Sequence, residues 1–330
     1  MLLALSTPAD THARAVLERL ARRGIPVERF DLSDFPQRSS LSMQYASGEP
    51  SRYTLYLPGG RALPFEDVDV IWWRRPQGFA IHPEVADPDH YAFAQAESTE
   101  AFTGLWLAAP VFWINHPTRD SEAGRKAYQL RLASEIGLEI PETLITSNAA
   151  DVCAFIQRQG PERTVYKAFS ATASHWRETR LLKPEEMALL DNVRFAPVIF
   201  QEYVPADVDL RVTVVGEDVF PAAIHSQQTA YKHDFRMDMA TARVEACTLP
   251  ESVQRMLLEL MRRLGLVYGA IDMRRTPEGR HVFLEINPAG QWLFVEDRTG
   301  QPITEALCSV IAAHCKVRPA PRAAVSARGG

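Results

Sequence analysis

The chain has 330 residues, more than one ordinary core holds, so two or three domains are expected. A composition 46% hydrophobic and 23% charged is that of a soluble globular protein able to bury a full core. The formal net charge of −5 argues against nucleic acid as an obligate partner.

The four cysteines, Cys153, Cys247, Cys308 and Cys315, show neither C-x-x-C spacing nor a nearby His pattern. That excludes the usual zinc and redox motifs and leaves reduced, buried thiols as the expectation. The opening Met-Leu-Leu-Ala-Leu-Ser is too short for a signal peptide and lacks a basic leader, and no apolar run reaches membrane-spanning length. A cytoplasmic protein with no membrane partner is therefore expected.

In chain order, Leu2 to Leu5 reads as a buried strand, and Ala13, Val16, Leu17 and Leu20 follow helical spacing up to Gly24. Val27 to Asp31 is a second strand, so the chain opens as a βαβ unit with a partly parallel sheet. Its first turn carries no G-x-G-x-x-G fingerprint. Residues 52–63 alternate around Pro58-Gly59-Gly60 as a hairpin, and Val68 to Trp73 is a buried-type strand ending in Arg74-Arg75-Pro76. Two arginines at a strand end could hold an acidic group or pair with neighbouring carboxylates. A helix from Tyr91 to Ala109 carries Phe102, Leu105, Trp106 and Ala109 on one stripe, and Val111 to Ile114 closes the first domain.

After the loop Asn115-His116-Pro117, one helix is expected from Arg119 to Glu135 with Lys126 inside it. Thr143 to Thr146 is strand-like, Asn148 can cap a helix through Gln159, and Thr164 to Ala168 is a strand bearing Lys167. The small, hydroxyl-rich segment 169–175 suits a loop over phosphates or a plain surface loop. From Val198 the pattern becomes mainly antiparallel, with strands at Val198 to Tyr203, Leu210 to Val215, Val219 to Ile224 and Ala242 to Cys247. Val253, Met256, Leu257, Leu260, Met261 and Leu264 form a core-facing helical stripe, and Ile303 to His314 supplies a last helix. The ending, 319–330, has the composition of a disordered tail.

Near the C-terminus, Gly269 to Arg274 and Phe283 to Pro288 flank a turn at Pro277-Glu278-Gly279 and read as two neighbouring strands. Glu285 and Asn287, two apart, share one face of a strand roughly 7 Å apart, and Asp272 can lie opposite them. Two carboxylates and an amide carbonyl without His or Cys form a hard-oxygen cluster suited to Mg²⁺ carried in with a nucleotide phosphate. An ordinary hairpin with polar residues at its rim fits the same spacing. A nucleotide site also needs cations for phosphate and a strand edge for the base. Lys126 and Lys167, the strand Gln201-Glu202-Tyr203-Val204 and then Asp209-Leu210-Arg211 offer these in order, although each alone reads equally as a solvated charge or a surface ion pair.

That order, from Lys126 to the Glu285-x-Asn287 pair, resembles the ATP-grasp superfamily over about 115–315. Asp234-Phe235-Arg236 resembles the Asp-aromatic-Arg of ligases that attach glutamate to protein tails. Ile71-Trp72-Trp73-Arg74-Arg75-Pro76 and Glu285-Ile286-Asn287-Pro288-Ala289-Gly290-Gln291-Trp292 look like the microviridin-type graspetide synthetases, and this resemblance spans almost the whole chain. It implies a mixed α/β and α+β protein with the ATP-grasp fold: an N-terminal α/β domain over 1–115, a central lid over 116–190 and a C-terminal antiparallel-sheet domain over 191–318.

The resemblance further implies ATP and one or two Mg²⁺ as cofactors. Lys126, Lys167 and Arg211 would hold phosphates, the backbone of Glu202 and Val204 beside Gln201 and Tyr203 would read adenine, and Asp209 would belong to the same site. Asp272, Glu285 and Asn287 would hold metal, and Arg211 and Arg236 would serve catalysis. Glu202 and Asp209 lie closer together than in the glutamate-adding relatives, so Asp207 is the candidate for the ribose contact. His225 and His233 are near enough in sequence to be considered as a general base. The implied activity is ATP-dependent macrocyclisation of a ribosomal precursor peptide with a leader and an acidic, hydroxyl-bearing core, by a homodimer. The alternative is a carboxylate-amine ligase acting on a free amino acid or a protein terminus.

Overall fold

The computed structural model describes residues 1–169, 180–228 and 242–316, and the chain divides into two compact units. The first comprises Met1–Trp113 with the chain from Cys308 onward. It opens with β1 (Leu2–Leu5), α1 (Thr11–Arg22) and β2 (Val27–Phe30). Asp10 caps α1 by accepting the Ala13 N–H at 2.9 Å, and Ala13, Val16 and Leu20 form its buried stripe. A small antiparallel sheet follows, β3 (Ser40–Gln44), β4 (Arg52–Tyr56) and β5 (Ala62–Pro64), the last two being the hairpin expected from Pro58-Gly59-Gly60. Then come β6 (Val70–Trp73), α2 (Pro88–Ala108) and β7 (Phe112–Ile114).

The main sheet has the order β2-β1-β6-β7, with β1 parallel to both β2 and β6. Parallel strands buried on both sides read as continuous apolar runs, which is why Leu2–Leu5 and Val70–Trp73 carry no polar alternation. Phe102, Leu105 and Trp106 of α2 pack with Leu3, Leu5 and Ile71 in one core. Arg74, 1% exposed, bonds Asp10 at 3.1 Å, so the carboxylate reading of that arginine is the one realised.

The second unit, Ile114–Leu307, contains two antiparallel sheets. Its first helices are α3 (Pro117–Ala123) and α4 (Lys126–Ile136), followed by β8 (Thr143–Thr146), α5 (Ala149–Gln159), β9 (Thr164–Lys167), β10 (Arg180–Leu181) and β11 (Val198–Glu202). The single helix expected from Arg119 to Glu135 is thus broken: α3 ends at Gly124, Arg125 is extended, and Lys126 heads a new helix. The sheet order β10-β9-β11-β8 places β11 between the two older strands, with α5 packed below through Val152, Phe155 and Ile156. A boundary at 190 would therefore cut this sheet, because β11 is bonded to β8 and β9 and not to the strands after it.

The larger sheet is built from β12 (Val208–Val215), β13 (Asp218–Ile224), β14 (Val244–Ala246), β15 (Tyr268–Arg275) and β16 (His281–Asn287), in the order β14-β13-β12-β15-β16. One face is apolar: Leu210, Val212, Val214, Ile271, Met273 and Ile286 pack against Leu132 and Ala133 of α4 and against Leu257, Leu260 and Leu264 of α6 (Glu251–Leu264). Each such side chain contributes about 1.5–3 kcal/mol by leaving water. The chain then forms α7 (Leu293–Thr299) and α8 (Ile303–His314), whose residues from Cys308 group with the first unit. Of the four cysteines, all free, only Cys308 is fully buried, and Cys153 is exposed on α5, contrary to the expectation of four buried thiols. The 319–330 tail lies outside the described residues.

Candidate active site

The second face of the large sheet is charged, and strand periodicity makes it so. Asp209 and Arg211 alternate with the core residues of β12, and the antiparallel register sets Arg274 and Asp272 of β15 directly opposite them. Asp272 in turn faces Glu285, and Ala270 faces Asn287. Two positively and three negatively charged side chains therefore share one surface with an amide.

A bulge between Asp272 and Met273 makes this possible. Under strict alternation Phe283 and Glu285 would point the same way. Leu284 is the extra residue, so Phe283 stays in the core while Glu285 turns to the charged face.

Two ion pairs cross this face from β12 to β15. Asp209 accepts from Arg274 Nε at 2.9 Å and from the Ser226 hydroxyl, Arg274 also donates to the Val204 carbonyl at 2.7 Å, and the Arg274 guanidinium lies 5.3 Å over the Tyr203 ring. Both side chains are nearly inaccessible. Asp209, grouped by the sequence with nucleotide contacts, is thus committed to a buried structural pair. Arg211 donates from Nη1 to Asp272 at 2.7 Å and from Nη2 to the Gln291 carbonyl at 3.1 Å, while its buried Nε has no bonding partner among the described residues. Burial alone would lower the Arg211 pKa, but Asp272, Tyr268 and Glu285 outweigh it and hold the guanidinium charged.

Lys126 reaches the same face from the first turn of α4 and bonds Glu285. A cation at a helix N-terminus opposes the helix dipole by about 0.3–1 kcal/mol, so helix stability does not explain a lysine there. Gly290 closes the cradle: a Cβ on it would overlap the Cβ of Ala270 and come within 3.1 Å of Arg211 Nη2, so only glycine lets the loop after β16 pass this close. Tyr268 fixes that loop by donating to the Gly290 carbonyl at 2.9 Å.

A second group surrounds a cleft at the β9–β11 edge. Lys167, Gln201, Glu202, Tyr203 and Val204 line it together with Val165, Arg274 and Leu284. The bulged Leu284 and its neighbour Glu285 connect the two groups. The Glu202 N–H is spent on the Glu142 carbonyl at 2.8 Å, so a base read at this strand would meet the Glu202 carbonyl and not its amide. Asp207, expected at the ribose, does not line the cleft and pairs with Arg275 at 2.7 Å. His225 is bonded to Glu245 at 2.7 Å, and the register Ala223↔Glu245 puts that pair on the helix-covered side of the sheet, away from Arg211. Arg236, with Asp234, Phe235 and His233, lies outside the described residues.

The donor set fits a hard divalent cation. Among the described residues no three His, Cys, Asp or Glu gather at one point, so Asp272 and Glu285 need a third ligand of another kind. Among the described residues the Asn287 amide oxygen accepts one bond, from the Ala289 N–H at 3.0 Å, which leaves it a second lone pair.

Sequence reasoning missed the buried amides of Asn115 and Gln129 that grip this region from below. Asn115 bonds the Tyr268 amide and carbonyl at 3.0 and 2.9 Å and the Pro288 carbonyl at 3.1 Å. Its only signal was a polar residue at the end of an apolar strand.

A charged face of this composition beside a small cleft lined by Lys167 and the Gln201 to Val204 strand is the arrangement of an ATP-grasp domain. The chain belongs to the RimK-like ATP-grasp family, whose model matches residues 123–311, and the MvdD pre-ATP grasp domain matches residues 1–121. Among solved structures, macrocyclase MdnC bound with precursor peptide MdnA, from Microcystis aeruginosa, is similar with a TM-score of 0.82 and 29% identity over 94% of this chain and 99% of that one. The RiPP-associated ATP-grasp ligase of Chryseobacterium gregarium, in complex with ADP and a leader and core peptide, gives 0.83 and 27% over 94% and 96%. Macrocyclase MdnB from Microcystis aeruginosa gives 0.77 and 29% over 94% and 98%. A comparison with curated proteins finds no match. Among the described residues no helix is long and apolar enough to cross a membrane.

Proposed function

We propose that the chain uses ATP to close rings in a ribosomal precursor peptide, activating Asp or Glu side chains and joining them to Thr or Ser hydroxyls as esters or to Lys amines as amides. The observation that carries this reading is the gathering of Lys126, Arg211, Asp272, Glu285 and Asn287 on one face. Similarity to a peptide macrocyclase over nearly the full length of both chains gives that face its substrate class.

In this reading Lys126, Lys167 and Arg211 hold phosphate oxygens, and the Gln201 to Val204 strand takes the base. Asp272, Glu285 and Asn287 would hold one or two Mg²⁺, which when bound neutralise charge on the phosphates. A substrate carboxylate oxygen attacks the γ-phosphorus as the bond to the ADP oxygen breaks, giving an acyl phosphate and ADP. Arg211, already charged and preoriented, stabilises the transferring group without reorganising. The hydroxyl or amine then attacks the acyl carbon, loses its proton, and phosphate leaves. Each bond costs the peptide one water and turns one ATP into ADP and phosphate. Arg236 is the candidate for the substrate carboxylate, which a planar guanidinium can grip bidentately. The partner is a peptide with a leader and an acidic, hydroxyl-bearing core, and the working enzyme is a cytoplasmic homodimer.

The test is incubation with Mg²⁺, ATP and the candidate precursor encoded beside the gene, followed by mass spectrometry. ADP release with loss of one water mass per bond is expected. An unchanged peptide with no ADP would sink the proposal, and a gain of mass on offering a free amino acid would favour the carboxylate-amine ligase instead.

A further inference from the structure

Among the described residues the large sheet ends at β16, whose outer edge meets backbone at Glu139, where the Phe283 N–H donates to the Glu139 carbonyl at 2.8 Å, but no further strand. At Ile286 a side chain takes its place. Gln129 Oε1 accepts the Ile286 N–H at 3.1 Å, and Gln129 Nε2 donates to the Ile286 carbonyl at 2.8 Å and to the Ala123 carbonyl at 2.5 Å. The amide is 3% exposed, and these bonds satisfy both of its donors and its acceptor oxygen. It acts as a one-residue surrogate strand.

Its position is specific. Ile286 is the residue between Glu285 and Asn287, and it lies just past the bulge at Leu284, where the ladder to β15 is interrupted. An edge strand with a bulge is where register is least firmly held, and a slip by one residue would turn Glu285 and Asn287 away from Asp272. Apolar packing of Ile286 opposes that slip, and the Gln129 bonds fix the peptide units on either side. Gln129 also lies one helical turn after Lys126, whose ammonium bonds Glu285, so one face of α4 holds both the strand and a residue it presents.

We infer that Gln129 is a positioning residue that fixes Glu285 and Asn287 as cation ligands and so sets the affinity of the site for its divalent metal. The inference rests on the assignment of these residues to a metal–nucleotide site. Groups that orient ligands from behind change metal affinity by about 10–100-fold when removed, and Gln129 reaches the ligands through the backbone they share.

The test is titration of the full-length protein with Mn²⁺ at saturating ADP, read by the electron paramagnetic resonance of free Mn²⁺. Gln129→Met keeps volume and loses all three bonds, and Gln129→Glu keeps the acceptor but loses both donors. Weakening of Mn²⁺ binding by about 10–100-fold is expected in Gln129→Met, with a loss at least as large in Gln129→Glu, whose carboxylate would face the Ile286 and Ala123 carbonyls, and unchanged affinity for ADP without metal. A merely structural role would lower the melting temperature and leave Mn²⁺ affinity of the folded protein at the wild-type value, which would overturn the inference. Should neither variant fold, hydrogen exchange at the Ile286 amide of the wild type decides: slow exchange that slows further with Mn²⁺ and ADP supports it, and exchange indifferent to them overturns it. A wild type that binds no Mn²⁺ with ADP would overturn the site assignment itself, whereas wild-type binding matched by both variants overturns only the role of Gln129.

Discussion

Two ion pairs lie side by side on the same two strands, two residues apart, and do opposite things. Asp209–Arg274 is closed: its oxygens and nitrogens are taken up by each other, by Ser226 and by the Val204 carbonyl, and both side chains are under a tenth exposed. Arg211–Asp272 is open: Arg211 keeps an unbonded Nε among the described residues, and Asp272 faces Glu285, with Asn287 two residues along the same strand opposite Ala270. Sequence shows one Asp-x-Arg motif, but its aspartate anchors Arg274, which in turn holds the Val204 carbonyl, while its arginine pairs with Asp272 on the charged face. A pair whose bonds are all internal stabilises; one that retains bonding capacity toward an open face can bind.

The sharpest way to break that contrast is Asp209→Ala. It should destabilise the protein by about 3–5 kcal/mol by stranding a buried guanidinium, measured by urea denaturation. Loss of ADP binding with full stability would show that the two pairs had been read the wrong way round. The converse substitution, Glu285→Gln, should cut peptide modification by about 10²–10³-fold with an unchanged melting temperature, and Asn287→Ala should behave alike; full activity in either would mean the metal face is misplaced.

A smaller effect is expected for Gly290→Ala, where the added methyl has to displace Ala270 or Arg211. A cost of about 1–3 kcal/mol should accompany weaker nucleotide binding, and calorimetry with ADP separates the two. Least is expected from the lid. There Arg180 hydrogen-bonds Glu186 and holds its carboxyl at about 2, well below its ordinary value. A depressed carboxylate pKa means stability that is complete above the unfolded value of about 4.3 and is lost as pH falls toward the folded one. Glu186→Gln should therefore cost about 1 kcal/mol at most at neutral pH, and the gap to wild type should close as the pH of thermal melts falls from about 4.3 toward 2. A gap constant across that window would remove the ion pair from the account.

Most of the framework was legible because it is written in periodicity. The run Leu2–Leu5, the stripe of α6 and the hairpin of β15 and β16 follow from apolar spacing alone, whereas the pairing of Asp272 with Glu285 depends on the bulge at Leu284, which alternation does not announce. Where reading failed, the deciding contact was distant in sequence. The break before Lys126 is held by Gln129 bonding Ala123 and Ile286, and β11 joins the earlier sheet because β8 and β9 offer it two free edges. The partners of Asp209 were not legible because nothing local announces Arg274 or Ser226, and that of Asp207 was not because Arg275 lies 68 residues away.

The sequence by itself determined which residues could bind phosphate and metal and in what order they come, because side-chain chemistry and strand alternation are local properties. Only the tertiary structure decided which of them retain bonding capacity. That depends on whether a buried group is satisfied by a neighbour brought from elsewhere in the chain, as Asp209 is by Arg274, or is left without a partner among the described residues, as Arg211 Nε is.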